Sequence, residues 1–452
     1  MAKVDAHAFL REHAERVTQP RVISMEMFRK YGVKRGLRND DGTGVLAGLT
    51  EIGDVHGYVV DENEKTPVEG RLRYRGVDVR DIVNGFTSEG RLGFAEVVYL
   101  LLFGDLPDAT TLEQFLQVLS DRREPPEGFW QDIVMRSPSP DIMNKLGRVV
   151  LSAYSYDENP EDNGIANVLR QSIDLIARFP VMVAYAFQAK RHYFDNESLY
   201  IHAPQPGLST AENLLQMIRP DQRFTRLEAE ILDLALVLHA EHGGGNNSAF
   251  TVHVVSSSAT DTYAAISAAV GSLKGSRHGG ANIQVAGMMD DIKENVSDWS
   301  SDSHVGAYLE RILKKEVGDR SGLVYGMGHA VYTLSDPRAV LLKAKARELA
   351  AQNNEYAEEF ALYEKIEVLT PEIFARVRKN DKAICANVDF YSGLVYRMLG
   401  IPNELFTPIF AISRVAGWCA HRLEEIAIGK RIIRPAYKNV LDGRPYVPMN
   451  RR

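Results

Sequence analysis

Residues 231–282 decide the fold of this 452-residue chain and read ILDLALVLHAEHGGGNNSAFTVHVVSSSATDTYAAISAAVGSLKGSRHGGAN. An apolar run with helical periodicity ends at His239, His242 and three glycines. A run rich in Ser and Thr follows, then an alanine-rich helix over 262–274, then His278 before two more glycines. Because glycine lets a ligand approach the backbone closely, helices that stop at glycine beside a histidine predict a pocket built from helix ends.

The composition places the chain among ordinary globular proteins with one large or two unequal domains, since 45% of residues are hydrophobic and 25% are charged. The net charge of −7 argues against general nucleic-acid binding. No apolar run reaches the roughly 20 residues of a membrane span, and residues 1–17 lack an apolar signal core. Two cysteines are too few for a disulfide framework. We therefore predict a soluble, cytoplasmic protein.

Outside this stretch, helical periodicity dominates and no parallel-sheet signature occurs. Residues 44–62 carry β-branched residues and glycines, which predict a small hairpin, and residues 70–82 read as a basic turn leading into a helix. The small residues of the 262–274 helix permit close helix packing, either inside the subunit or across a dimer. The predicted fold class is all-α with a minor N-terminal β-hairpin.

Three arginines stand where a structural role explains them poorly. Arg338 lies in a first helical turn, where the positive end of the helix dipole disfavours cations. Arg414 lies inside the apolar segment FAISRVAGW, and Arg434 precedes a proline in an irregular segment. Each alone could be a solvated or salt-bridged arginine. Together they suggest clamps for a small anion with more than one carboxylate, which guanidinium binds bidentately.

Four histidines lie in or near the glycine-rich segments or helix ends. His242, His278 and His329 each lie beside glycine, and each taken singly could also be a loop histidine without a chemical role. His239 lies one turn inside an apolar helix and reads as a satisfied core histidine. The spacing of His239 and His242 lacks the HExxH pattern and a nearby cysteine, so no metal site is predicted.

Asp389 lies near a helix start in NVDFYSG. It could stabilise the helix dipole or cap, or it could be a carboxylate base held between Val388 and Phe390. Partial burial there would raise its pKa from about 3.9.

The segments LHAEHGGGNNSAF, GSRHGGAN, GMGHAVYTLSDPR, NVDFYSG, AISR and IIRP together resemble the Si-type citrate synthase family, which includes 2-methylcitrate synthases. They occur in family order with similar spacing, and RLRYRGVDVRDI and EVVYLLLFGDLP resemble the family's N-terminal signatures. The resemblance runs from about residue 70 to residue 435. It implies a nearly all-helical homodimer whose active site lies in the cleft between a large domain (1–285 and 390–452) and a small domain (286–389). The alanine-rich helix would then lie near the dimer interface.

The resemblance also implies condensation of acetyl-CoA with oxaloacetate, the reaction that opens the tricarboxylic acid cycle. Asp389 would remove a methyl proton of acetyl-CoA, and His278 would stabilise the enolised thioester oxygen. His329 would polarise the ketone of oxaloacetate before citryl-CoA is hydrolysed. Acetyl-CoA would be a co-substrate, and no metal or organic cofactor is implied. The implied oxaloacetate ligands are His242, His329, Arg338, Arg414 and, from the other subunit, Arg434.

Other functions stay open from the sequence. A 2-methylcitrate synthase would use propionyl-CoA, a lyase would cleave citryl-CoA on the same scaffold, and a non-catalytic dicarboxylate-binding protein would not need Asp389 or His278. Two departures from the family pattern occur. Residues 332–335 contain no cation where relatives often have one for the CoA phosphates, so the residues that bind those phosphates are unknown. Gly243 stands where relatives often have Glu.

Overall fold

The computed structural model describes residues 5–18, 23–39, 42–61, 64–352, 354–380, 383–429 and 431–452. The chain divides into two compact units, Met1–Ala47 with Arg434–Arg452, and Gly48–Ile433. The first unit contains α1 (Ala6–Thr18), α2 (Met25–Lys30) and two short 3-10 turns at Arg35–Leu37 and Met449–Arg451.

The second unit begins with a small antiparallel sheet in the order β1 (Gly53–Asp61), β2 (Glu64–Tyr74), β3 (Val77–Asp78). The predicted hairpin is confirmed, but its predicted range of 44–62 is wrong because β2 includes residues predicted as a basic turn. Leu72 and Tyr74 are fully buried whereas Arg71 and Arg73 are not, which is the period-two alternation of a half-buried strand.

The remainder of this unit is helical. The helices are α3 (Val79–Ser88), α4 (Phe94–Phe103), α5 (Ala109–Asp121), a π-helical turn at Trp130–Met135, α6 (Ile142–Ala153), a 3-10 turn at Tyr154–Tyr156, α7 (Ile165–Asp195), α8 (Thr210–Ile218), α9 (Arg226–His239), α10 (Asn247–Ser256), α11 (Thr262–Lys274), α12 (Ala281–Asn295), α13 (Asp302–Leu313), α14 (Pro337–Ala350), α15 (Asn354–Arg378), α16 (Val388–Met398), a 3-10 turn at Asn403–Leu405 and α17 (Phe406–Ile428). The all-α fold class is confirmed.

Helix α17 forms the centre of the core. Every residue from 406 to 422 is buried, because α4, α7, α9, α10 and α11 pack around it. The alanine-rich helix is α11, which packs on α6 and α10 as well as on α17. Packing inside the chain therefore explains its small residues, and a place near a dimer interface stays a prediction.

Capping residues fix the helix starts that matter for the site. Thr225 and Glu228 form a capping box at the start of α9, and Asp336 caps α14 with Pro337 at the first helical position. Within the described ranges, no helix has the length and apolar character needed to cross a bilayer. The division into a large domain and a small domain of residues 286–389 stays a prediction.

Candidate active site

Backbone pairing joins the segment that carries His329 to the segment that carries Asp389. Gly328 N–H donates to Cys385 O at 2.7 Å, and Asn387 N–H donates to Gly326 O at 2.8 Å. The Asn387 side chain adds a bond from Nδ2 to Gly328 O at 2.9 Å. Gly326 has a φ of +78°, and a Cβ there would lie 2.8 Å from the Phe390 side chain. Two segments about sixty residues apart in the sequence are thereby held next to each other.

Asp336 connects the start of α14 to the start of α16. Its Oδ1 accepts Arg338 N–H at 3.0 Å, and its Oδ2 accepts Val388 N–H at 3.3 Å. The carboxylate also binds the Arg338 guanidinium through Nε at 3.0 Å and Nη2 at 2.7 Å. Burial opposes the charge of Arg338, but Asp336 outweighs it and raises the Arg338 pKa above its usual value. Sequence analysis marked Arg338 as unusual but missed this ion pair.

Arg414 is 1% exposed and lies on α17. Its Nε donates to His239 O at 2.7 Å, and its Cζ lies 4.6 Å from the centre of the Phe410 ring. Nη1 and Nη2 have no hydrogen-bond partner among the described residues. Burial lowers the Arg414 pKa to about 10. A buried guanidinium with free donors costs stability unless an anion binds it, so Arg414 is a strong candidate ligand for a carboxylate.

His242 and His329 meet edge to face, with ring centroids 5.1 Å apart, and Tyr332 stacks on His329 at 4.7 Å. His329 Nδ1 accepts the backbone N–H groups of Val331 and Tyr332 at 3.1 and 3.2 Å. Since these amides only donate, the proton of the neutral His329 ring lies on Nε2. Burial holds the His242 pKa well below its usual value, and Arg338 acts in the same direction.

His278 precedes α12 and bonds through Nε2 to Ser248 Oγ at 3.0 Å. Trp418 Nε1 donates to the same oxygen at 3.0 Å, which fixes the position of the hydroxyl. Burial lowers the His278 pKa to about 4, and Arg414 contributes to the lowering. The imidazole is therefore neutral near pH 7 and can donate one hydrogen bond without carrying charge.

Asp389 lies in the first turn of α16, where its N–H donates to Asn387 Oδ1 at 3.0 Å. The side-chain Oδ1 is buried and has no hydrogen-bond partner in the part of the chain that the structure describes. Burial raises the Asp389 pKa to about 6, against the lowering effect of Arg338 and Arg414. This is the environment expected for a carboxylate base rather than for a simple helix cap.

The structure thus brings six of the predicted residues into one electrostatically coupled group: His242, His278, His329, Arg338, Arg414 and Asp389. Arg434 is exposed and belongs to the first unit, so its role across a dimer stays a prediction. The description of His239 as satisfied is wrong. Its ring lies 4.4 Å from Phe410, but neither ring nitrogen has a partner within the described ranges.

Tyr74 was missed by sequence analysis. Its hydroxyl donates to Val237 O at 2.9 Å at the end of α9, and Arg338, Arg414 and Glu241 influence its pKa. Burial raises that pKa above its usual value, so the phenol stays protonated. No sequence pattern around Tyr74 indicated that this strand residue lies beside the candidate active site.

Known proteins match this chain over most of its length. A family model described as citrate synthase, C-terminal domain, matches residues 41–436. The citrate synthase of Acidithiobacillus ferridurans is 37% identical over 394 residues, covering 85% of this chain and 93% of the relative. The 2-methylcitrate synthase of Shewanella oneidensis is 31% identical over 386 residues, covering 84% and 92%.

Solved structures agree. A ternary complex of carboxymethyl coenzyme A and oxaloacetate with the citrate synthase of Thermoplasma acidophilum has a TM-score of 0.74 at 26% identity, covering 93% of this chain and 99% of that one. The citrate synthase of Pyrobaculum aerophilum has a TM-score of 0.71 at 30% identity, covering 90% and 94%. The chain is therefore an enzyme and belongs to the citrate synthase family.

Proposed function

We propose that the enzyme condenses acetyl-CoA with oxaloacetate and water to give citrate and CoA. The observation that carries the proposal is Asp389, whose pKa is raised to about 6 by burial against the influence of Arg338 and Arg414, and whose buried Oδ1 has no hydrogen-bond partner among the described residues. A carboxylate that is ionised at neutral pH yet poorly stabilised is a competent base for a carbon acid.

Oxaloacetate would be bound through its two carboxylates. The unpartnered Nη1 and Nη2 of Arg414 suit bidentate binding of one carboxylate, and Arg338 provides a second cation close by. His242 would add a ligand, and Arg434 would reach the site from the partner subunit of a homodimer. His329 Nε2–H would donate to the ketone oxygen and make its carbon more electrophilic.

Acetyl-CoA would be activated by Asp389 and His278 together. A thioester α-proton is a far weaker acid than a carboxylic acid, so Asp389 alone cannot remove it quickly. Ser248 Oγ lies 3.0 Å from His278 Nε2 and donates its proton to Asn246 Oδ1. If the hydroxyl turned to donate to Nε2 when substrate binds, the proton of the neutral ring would lie on Nδ1 and would be directed to the thioester oxygen. That donor stabilises the oxygen as the methyl carbon loses its proton.

The enolised carbon would then attack the ketone, and hydrolysis of citryl-CoA would release the product. Closure of the small domain (286–389) over the large domain would exclude water until the new bond has formed. We expect no metal or organic cofactor in this reaction, because neutral imidazoles and guanidiniums supply the charge stabilisation. The residues that bind the CoA phosphates stay unassigned, and the cytoplasm stays the predicted location.

One observation favours a second candidate, 2-methylcitrate synthesis from propionyl-CoA: the similarity to the 2-methylcitrate synthase of Shewanella oneidensis. One extra methylene changes kcat/KM by about 10–200-fold in either direction, according to the shape of the acyl pocket. The residues discussed above would serve in both reactions, so they do not distinguish acetyl-CoA from propionyl-CoA.

Release of CoA thiol from acetyl-CoA and from propionyl-CoA, each with and without oxaloacetate, tests the proposal. We expect oxaloacetate-dependent release and a higher kcat/KM for acetyl-CoA. A higher value for propionyl-CoA would favour 2-methylcitrate synthesis. Calorimetric binding of oxaloacetate without thiol release from either thioester would instead identify a dicarboxylate-binding protein and overturn the proposal.

A further inference from the structure

A second cluster of histidine and glutamate side chains lies where α10 faces α17. Its members are His253 on α10 and His421 with Glu424 on α17, and one ligand atom from each lies within 4.8 Å of the other two. His253 Nε2 and His421 Nδ1 are 3.1 Å apart. The spacing of three residues between His421 and Glu424 places both on one face of α17. The two helices therefore direct two imidazole nitrogens and a carboxylate to one point.

The other nitrogen of each imidazole contacts a carboxylate. His253 Nδ1 lies 2.8 Å from Glu425 Oε2, and His421 Nε2 lies 3.0 Å from Glu241 Oε1. A carboxylate on the far nitrogen is the arrangement that orients metal-binding histidines and increases the basicity of the near nitrogen. Both rings are thus held with their near nitrogens turned toward each other.

Glu424 supplies an independent observation. Its Oε1 accepts the backbone N–H of Glu51 at 2.7 Å, which fixes the carboxylate. Its Oε2 is buried, has no hydrogen-bond partner among the described residues and lies 3.7 Å from His421 Nδ1. The Glu424 side chain is 8% exposed. A buried carboxylate oxygen without a partner is costly, and a cation at this point would satisfy it.

The charges of the cluster favour a divalent ion. Three carboxylates, those of Glu241, Glu424 and Glu425, surround two imidazoles. One protonated imidazole would leave an excess of negative charge in a largely buried volume, whereas a divalent cation between neutral imidazoles removes more of it. The 3.1 Å separation of the nitrogens is close to the ~3.3 Å edge of a tetrahedron with Zn–N bonds of about 2.0–2.1 Å.

We propose that His253 Nε2, His421 Nδ1 and Glu424 Oε2 bind one divalent transition-metal ion, for which Zn²⁺ is the best match, with water as the fourth ligand. Two imidazoles and one carboxylate suit Zn²⁺ better than the oxygen-seeking Mg²⁺ or Ca²⁺. The role is structural and does not depend on the proposed function. The ion would clamp α10 to α17 and, through Glu241, hold the turn before His242.

Zinc binding by the full-length, tag-free protein tests this site. After treatment with a chelator, the protein is titrated with Zn²⁺ against a chromogenic competitor, and metal content is measured by mass spectrometry. We expect one Zn²⁺ per chain and a rise of a few degrees in the thermal midpoint at 100-fold excess over Kd. Mg²⁺ at the same excess should leave the midpoint unchanged.

Variants identify the ligands. His253→Gln and Glu424→Gln should each weaken Zn²⁺ binding by more than about 100-fold, and Glu425→Gln by about 10–100-fold. His304→Gln and Glu372→Gln change exposed residues of the same types and should bind as the wild type does. Glu424→Gln keeps the side-chain shape, so it serves if His253→Gln fails to fold. Absence of stoichiometric Zn²⁺, or equal binding by Glu424→Gln, would show that the histidines form only a hydrogen-bonded pair.

Discussion

Arg338 and Arg414 are both buried in the candidate site, but their surroundings differ. Arg338 forms a bidentate ion pair with Asp336, and its pKa is raised. Arg414 has one bond, from Nε to His239 O, and burial lowers its pKa to about 10. One guanidinium is a satisfied part of the protein structure. The other has no counter-ion in direct contact among the described residues.

The difference separates a guanidinium that a carboxylate of the protein already neutralises from one whose counter-ion would come from a ligand. Asp336 also accepts Val388 N–H, so the Arg338 pair helps to fix the helix that carries Asp389. Two nitrogens of the buried Arg414 have no partner among the described residues, which lowers the stability of the fold. Such a loss of stability is typical of functional groups whose counter-ion is a charged substrate.

Asp389→Asn gives the largest expected effect, since Asp389 lies in the field of both guanidiniums. We expect kcat to fall by about 10²–10⁴-fold, as for loss of a general base. The free energy of unfolding of Asp389→Asn should not be lower than that of the wild type. The folded pKa of about 6 exceeds the unfolded value, so the ionised carboxylate destabilises the fold at pH 7 by on the order of 1–3 kcal/mol, and Asn removes that cost.

Thiol-release kinetics and urea unfolding measure the two effects on one preparation. Asp105→Asn, at an exposed position, provides the control and should change neither. A variant that keeps more than about a tenth of the wild-type kcat would exclude Asp389 as the base.

Replacing each arginine by Gln tests the comparison directly. Arg338→Gln should lower the free energy of unfolding by about 3–5 kcal/mol, because Asp336 is left as an uncompensated buried charge. Arg414→Gln should leave that free energy unchanged or higher. The Arg414→Gln substitution should instead weaken oxaloacetate binding by about 2–5 kcal/mol, because a buried charge pair is lost.

Urea unfolding without substrate and calorimetric titration with oxaloacetate separate stability from binding. The distinction between the two arginines is wrong if Arg414→Gln lowers the free energy of unfolding as much as Arg338→Gln does, since Arg414 would then also stabilise the fold. Arg414→Lys keeps the charge but not the bidentate geometry, and should recover only part of the binding.

The two arginines also show what sequence can predict. The apolar neighbours of Arg414 marked it as unusual and suggested an anion clamp. In the part of the chain that the structure describes, Arg414 makes one hydrogen bond and two of its nitrogens have no partner. For Arg338, the helix dipole correctly marked the position as unusual. Its ion pair with Asp336 was missed because the cap role alone already explained an aspartate at that position.

Local sequence patterns could not predict which segments come together to form the site. The segments that carry His329 and Asp389 become neighbours through backbone pairing of residues 326–328 with 385–387, which leaves no periodic signal. Only the resemblance to a family predicted that they meet. Similarly, His253 and His421 are 168 residues apart, and neither carries a motif that links it to the other. The strand at 64–74 was misread because its arginines resembled a turn, although Leu72 and Tyr74 alternate with them.

The smallest effect that we expect is a shift in the pH dependence of kcat when either arginine is replaced. Catalysis requires ionised Asp389, so kcat should fall about tenfold per pH unit below about pH 6. Both guanidiniums stabilise the carboxylate, so replacing either by Gln raises the Asp389 pKa and moves this acid limb to higher pH.

Arg338 should give the larger shift, because it has the stronger influence on Asp389 and because its loss also frees the negative charge of Asp336. Profiles of kcat against pH at saturating substrates measure both shifts, with Arg414→Lys as the control that retains the cation. An acid limb that stays in place in Arg338→Gln would mean that kcat reports a group other than Asp389. A larger shift in Arg414→Gln would instead mean that the unpaired guanidinium, despite its lower pKa, has the greater influence on the base.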